Sequence, residues 1–215
     1  MLSFSRKILD NLEMNIFVFD LDSTVTKAEL LPEIAKAVGM EIDMARLTQQ
    51  ALDGVVPFAV SFRQRFDLLR HVPLEAVWQV ADKVEIDGDI GKFIREHREQ
   101  CIIATGNADL WVKPITDKLG CRVFASHAEM DETGTPRLES VLYKGDVIAE
   151  LREEYPPPAK IIAIGDSAND IPMFEAADFS IAYGGVNTPT EEVRRAATWK
   201  IDDSQKMVAF LSSKD

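Results

Sequence analysis

The run Ile16-Phe17-Val18-Phe19-Asp20-Leu21-Asp22-Ser23-Thr24 decides how this chain is read. Its first four residues are β-branched or aromatic. The run is too short for a helix and ends in acidic residues, so it reads as a buried strand leading directly into two carboxylates. One residue separates Asp20 from Asp22. At a strand end, where the chain leaves the pleat and turns, both can converge on one site, and their mutual repulsion then asks for a cation. Taken alone, the same run is more often a turn with acidic caps.

Beyond the strand, the stretch from Lys27 to about Lys83 is helical in pattern. Leu30, Leu31, Ile34, Ala35 and Val38 form one apolar stripe, and Phe58, Phe62, Phe66 and Leu69 form another. After Asp87-Gly88 the pattern alternates. Ile90–His97 reads as helix, Cys101–Ala104 as strand, Asp109–Leu119 as helix and Cys121–Ala125 as strand. Ile161–Ile164 then reads as strand, Ile171–Ala176 as helix and Phe179–Ala182 as strand. Such alternation predicts an α/β fold, a doubly wound parallel sheet with helices on both faces, interrupted early by a helical insertion. Glu129–Leu142, with Asp-Glu-Thr-Gly-Thr-Pro at its centre, reads as a hairpin excursion, and Tyr155-Pro156-Pro157-Pro158 as a stiff connector. In doubly wound sheets ligands bind beyond the carboxyl ends of the strands.

Three further groups fall at such ends. Ile161–Ile164 leads into Gly165-Asp166-Ser167-Ala168-Asn169-Asp170, a second acidic cluster. Independent turns seldom deliver two aspartate pairs to one sheet edge, and a hard divalent cation held by few protein oxygens fits Mg²⁺. Asp170 alone is equally a dipole-favoured acid at a helix start. Thr105-Gly106-Asn107 follows the strand at Cys101. A hydroxyl and backbone N–H groups there can hold a phosphoryl oxygen, or can simply cap a helix. Lys144, at the start of a helix, can neutralise an aspartate and a phosphoryl oxygen, or can lie in solvent.

Together the order Asp20-x-Asp22-x-Thr24, Thr105, Lys144 and Gly165-Asp166-(x)₃-Asp170 resembles the four motifs of the haloacid dehalogenase superfamily across nearly the whole chain. Within it the chain is most similar to the phosphoserine phosphatases, through Asp20-Leu-Asp22-Ser-Thr-Val with Glu29, Val56-Pro57-Phe58 with Arg65, and Gly165-Asp166-x-Ala168-Asn169-Asp170. The resemblance implies a Rossmann-like core of residues 1–25 and 86–215 and a small helical cap of residues 26–85. It implies a Mg²⁺-dependent phosphomonoester hydrolase in which Asp20 is the nucleophile and Asp22 the acid/base. Lys144 and Thr105 hold the phosphoryl oxygens, and Asp20, Asp22, Asp166 and Asp170 surround the ion, Asp22 through its backbone carbonyl. Glu29 and Arg65 meet the ammonium and carboxylate of an amino-acid phosphate, a salt bridge between them being the competing reading. Phe58, Gly106, Asn107 and Asn169 complete the substrate contacts. The chain departs from the family at Thr105-Gly106-Asn107, where Ser-Gly-Gly is usual, at Ser167 for Gly, and at Leu52-Asp53 for Met-Gly. Threonine supplies the serine's hydroxyl, whereas Asn107 adds a side chain that crowds or contacts the leaving-group side.

Composition narrows the partners. With 24 basic and 36 acidic residues the chain carries −12, which repels nucleic acid and anionic lipid and leaves a small phosphorylated metabolite. No apolar span of membrane length and no signal-peptide pattern occurs, and Cys101 and Cys121 read as reduced core thiols, so a cytoplasmic setting is expected. Residues 1–13 read as a helical extension or an upstream start, and the sequence leaves the number of subunits open. Two other classes compete. One is transfer of the phosphoryl group to an acceptor alcohol or action on another small phosphomonoester. The other is a phospho-accepting receiver, opposed by the length, the insertion and Asp22.

Overall fold

The computed structural model describes residues 14–52 and 56–214. The N-terminal stretch 1–13, Asp53 and the side chain of Leu52 lie outside the described residues. Strand β1 (Asn15–Phe19) is followed by four helices, α1 (Leu30–Ala37), α2 (Glu41–Leu52), α3 (Phe58–Leu69) and α4 (Leu74–Ala81). Then come α5 (Gly88–Glu96), β2 (Cys101–Ala108), α6 (Asp109–Leu119), β3 (Arg122–Met130) and β4 (Pro136–Ser140). The chain continues through α7 (Lys144–Glu154), β5 (Lys160–Gly165), α8 (Ile171–Ala176), β6 (Phe179–Tyr183), α9 (Glu191–Ala196), β7 (Trp199–Ile201) and α10 (Ser204–Ser212).

The strands form one seven-stranded sheet in the order β4-β3-β2-β1-β5-β6-β7. Every adjacent pair is parallel except β3 with β4. β1 lies between β2 and β5, so the chain's strand order turns back across it, and the crevice beyond its carboxyl end is where such sheets bind ligands. The period of two explains why β1 is apolar throughout. Ile16 and Val18 join Val147, Ile148 and Leu151 of α7 on one face. Phe17 and Phe19 join the other face, where Phe93 meets them edge-on at 5.4 and 6.5 Å. Each fully buried phenylalanine contributes about 1.5–3 kcal/mol.

The same apolar cluster continues into the insertion through Leu30, Ile34, Phe62, Phe66 and Leu69. Phe66 stacks on Trp111 of α6 at 4.5 Å, and Trp78 Nε1 donates to the Leu110 carbonyl at 2.7 Å. The insertion leaves and rejoins the core side by side. Thr26 bridges Ile86 antiparallel, Lys27 N–H donates to Glu85 O and Asp87 N–H to Val25 O, each at 2.8 Å.

Several elements differ from the sequence reading. β2 runs to Ala108, so Thr105-Gly106-Asn107 belongs to the strand and not to the helix start. Thr105 pairs with Ala125 and Ala108 with the next residue, Ser126, which leaves Gly106 and Asn107 as a bulge. Ser126 Oγ pins that bulge by donating to Gly106 O at 2.7 Å. β3 begins at Arg122 and extends to Met130, because the hairpin predicted at Glu129–Leu142 is built on its second half. Cys121 therefore precedes the strand and is half-buried, not a core thiol like Cys101. The region after Tyr183, with β7, α9 and α10, had no assignment in the sequence; its elements are short, and polar residues mask their periodicity. Among the described residues no helix is long and apolar enough to cross a membrane.

Candidate active site

β1 delivers Asp20 to the sheet edge, and the Asp20 N–H donates to Ile164 O at 2.8 Å, which ties the ends of β1 and β5 together. The chain then turns sharply. Val25 and Thr26 N–H both donate to Leu21 O at 2.9 Å, and the Thr26 hydroxyl reaches the same carbonyl at 3.1 Å. Ser23 closes the turn at φ 59°, a left-handed conformation that costs a non-glycine residue about 1–3 kcal/mol. The turn separates the two carboxylates. Asp20 faces the floor of a cavity of about 600 Å³, and Asp22 reaches toward the insertion.

On the floor, Lys144 lies at 2% exposure, so the solvated-lysine reading is excluded. Its ammonium donates to Asp20 Oδ1 and, at 2.5 Å, to Asp170 Oδ1. Asp170 Oδ2 accepts from the N–H groups of Asp166 at 3.0 Å and Ser167 at 2.9 Å, and from the Ser167 hydroxyl at 3.2 Å. A Cβ on Gly165 would stand 2.4 Å from Asp170 Cγ, which is why glycine precedes this pair. Asp20, Asp166 and Asp170 bring one oxygen each within 4.8 Å of one another.

Three buried carboxylates thus gather around one ammonium, which is bonded to two of them. Burial raises Asp20 well above the usual carboxylate range; Lys144 opposes this, while Asp170, Asp166 and Asp22 reinforce it. Burial and then Asp170 push Asp166 up to about 7 against the pull of Lys144. Burial alone would lower the Lys144 ammonium, yet Asp170 and Asp20 outweigh it and hold the group above its ordinary value. The cluster carries excess negative charge on hard oxygen donors, so these carboxylates could hold a metal ion of the Mg²⁺ class. Thr24 Oγ1 lies 3.4 Å from Asp166 Oδ1, and the nearby Asn187 side chain favours the Asp166 carboxylate against its burial. Asn187 went unread in the sequence, although it follows β6 at the same sheet edge and the glycine pair at 184–185 marked a turn there.

Asp22 is held from both sides. Its Oδ1 accepts the Leu30 N–H at 2.8 Å, an otherwise orphaned donor in the first turn of α1 that the preceding Glu29 side chain leaves uncapped. Its Oδ2 lies 3.2 Å from Asn107 Nδ2 and 3.5 Å from Thr105 Oγ1. The insertion forms the roof. Phe58 packs so close to Gly106 that a Cβ there would stand 2.6 Å from Phe58 Cζ. Arg65 is 8% exposed, and its Nε has no hydrogen-bond partner. No ion pair joins it to Glu29 among the described residues; Arg65 Cζ sits 6.0 Å from the Phe58 ring centroid. Burial lowers Arg65, with Glu29 and Asp22 opposing. Burial and Asp22 raise Glu29, with Arg65 opposing. Thr48 Oγ1, also unread in the sequence, is likewise buried without a partner.

Of the residues predicted for the site, Asp20, Asp22, Glu29, Phe58, Arg65, Gly106, Asn107, Lys144, Asp166 and Asn169 line the cavity. Thr105 and Asp170 lie behind that surface, each in contact with a residue that lines it.

The family model for haloacid dehalogenase-like hydrolases matches residues 17–175. The human phosphoserine phosphatase is 31% identical over 90% of this chain and 91% of its own length. The phosphoserine phosphatase of Archaeoglobus fulgidus is 27% identical over 80% of this chain, which spans 53% of that protein. A solved structure of a phospho-aspartyl intermediate analogue of phosphoserine phosphatase superposes with a TM-score of 0.76 at 25% identity, covering 93% of this chain and 99% of the other.

Proposed function

The chain belongs to the haloacid dehalogenase-like hydrolases as a phosphoserine phosphatase-like phosphatase, and from that premise we propose that it hydrolyses O-phosphoserine or a closely related amino-acid phosphate through an aspartyl-phosphate on Asp20. One observation carries the substrate reading: a buried guanidinium, Arg65, with an unpartnered Nε, lines the same cavity as Asp20 and the carboxylate of Glu29. A buried donor without a partner costs about 1–3 kcal/mol, which a ligand carboxylate would relieve. In this reading residues 26–85 act as a cap that closes over the substrate.

The chemistry assigned to the residues is direct. An Asp20 oxygen attacks phosphorus and the ester P–O bond breaks, while Asp22 gives its proton to the departing alkoxide. Asp22 then takes a proton from water as that water attacks phosphorus, and the bond to Asp20 breaks. Lys144 keeps Asp20 oriented and screens the approach of two negative charges. Asp20, Asp166 and the backbone carbonyl of Asp22, with Asp170 in the same cluster, would hold Mg²⁺, which supplies charge neutralisation on the phosphoryl oxygens when bound.

A second reading keeps this chemistry on another small phosphomonoester or passes the phosphoryl group to an alcohol. The cavity of about 600 Å³ leaves room for either. The deciding experiment compares kcat/KM over phosphorylated amino acids, sugar phosphates and a simple alkyl phosphate, with and without an added alcohol. A preference for phosphoserine or a near neighbour is expected. Indifference among the substrates overturns the amino-acid reading, and transfer exceeding hydrolysis overturns the hydrolase.

A further inference from the structure

Asn107 lines the cavity, yet both ends of its amide are engaged by the protein. Oδ1 accepts the Ala108 N–H at 3.2 Å, and Nδ2 donates to Asp22 Oδ2 at 3.2 Å. Because the Ala108 N–H can only donate, Oδ1 must face it, which leaves Nδ2 to donate to the Asp22 carboxyl oxygen, so the two contacts agree on one orientation of the amide. The residue is 5% exposed and sits in the β2 bulge pinned by Ser126. Its own N–H donates to Thr105 Oγ1 at 3.1 Å, the hydroxyl that also approaches Asp22 Oδ2. Across the carboxylate the Leu30 N–H holds Oδ1. Asp22 is therefore clamped between the sheet and the first helix of the insertion, and Asn107 is the sheet-side jaw.

We propose that Asn107 is a positioning residue for Asp22, fixing the carboxylate in the orientation from which it delivers a proton to the leaving oxygen and later takes one from water. The proposal rests on the reading of Asp22 as acid/base. It differs from a substrate contact, because the amide acts through another side chain and its effect does not depend on what the leaving group carries.

The test is a double-mutant cycle on Asn107→Ala and Asp22→Asn, measured as kcat and KM on phosphoserine and on an aryl phosphate. Asn107→Ala is expected to lower kcat on both substrates by on the order of tenfold or more, the loss of one hydrogen bond to a charged group, with KM little changed. In the Asp22→Asn background it should cost nothing further. The same loss in both backgrounds, or a raised KM for phosphoserine alone, overturns the proposal in favour of packing or of substrate contact. The near-isosteric Asn107→Asp keeps the shape and sets a carboxylate against Asp22. It should fall below Asn107→Ala in kcat, and near wild-type turnover by it also refutes the role. Undiminished activity of Asp22→Asn by itself would instead remove the acid/base reading, and this inference with it.

Discussion

The floor and the roof of the cavity are built on opposite electrostatic principles. On the floor the charged groups are bonded to one another: Lys144 binds Asp20 and Asp170, and Asp170 also accepts backbone N–H groups from its own turn, with Asp166 as the excess negative charge of the cluster. On the roof Arg65 Nε and Thr48 Oγ1 are buried without partners, and Glu29 stands near Arg65 without pairing to it. A cluster bonded internally in this way is preorganised and needs little reorganisation when charge develops. An underbonded surface gains most when a ligand supplies the missing partners. Under the proposed function this contrast places chemistry at the sheet edge and selectivity in the insertion.

The strongest way to break that contrast is Asp20→Asn, which should abolish hydrolysis of every substrate. It should leave the melting temperature unchanged or raised, because it removes one of three mutually repelling carboxylates. Turnover of an aryl phosphate within about tenfold of wild type would deny Asp20 its role as nucleophile. Withdrawing the cation is nearly as severe. Dialysis against EDTA should stop turnover, and added Mg²⁺ should restore it, since Asp20 and Asp166 are left in a site that disfavours their charge. Full activity in EDTA would make the cluster a structural feature.

The roof should respond selectively. Losing one half of a buried charge-assisted contact costs about 2–5 kcal/mol, so Arg65→Ala should lower kcat/KM for phosphoserine by a factor on the order of 30 or more and spare a simple alkyl phosphate. Equal losses on both would erase the distinction between floor and roof.

The smallest effect lies outside the cavity and sharpens the comparison by showing a paired cluster without function. Asp178 accepts the Ile161 N–H at 2.9 Å, Lys160 Nζ at 3.2 Å and an Arg152 guanidinium N–H. Burial pushes its carboxyl up, but these partners outweigh it and hold the group below its ordinary value of 3.8. A depressed folded pKa stabilises the fold above the unfolded value and loses that contribution as pH falls through the folded one. Asp178→Asn should therefore cost about 1–3 kcal/mol in denaturant melts at neutral pH, and the two proteins should converge at low pH with turnover unaffected. A constant difference at all pH values would show that charge is not the cause.

What could be read from residues alone was local. The unbroken β-branched and aromatic run Ile16–Phe19, the Asp-x-Asp at its end, the helical stripes from Leu30 to Leu69 and the acidic pair after Ile164 each carry their signal within a few residues. They sufficed for the parallel sheet, the helical insertion and the gathering of carboxylates at the sheet edge. The bulge at Gly106-Asn107 was not readable, because it exists only against the register of β3. The same holds for Asn187 beside Asp166, which reaches it from a loop after another strand. Only the folded chain could distinguish a solvated lysine at a helix start from the buried Lys144, or a salt bridge in the insertion from an Arg65 whose Nε is left unpartnered at the cavity. Burial and the pairing of charges depend on residues distant in the chain, and a spacing rule reports which groups are present but not which of them lack a partner.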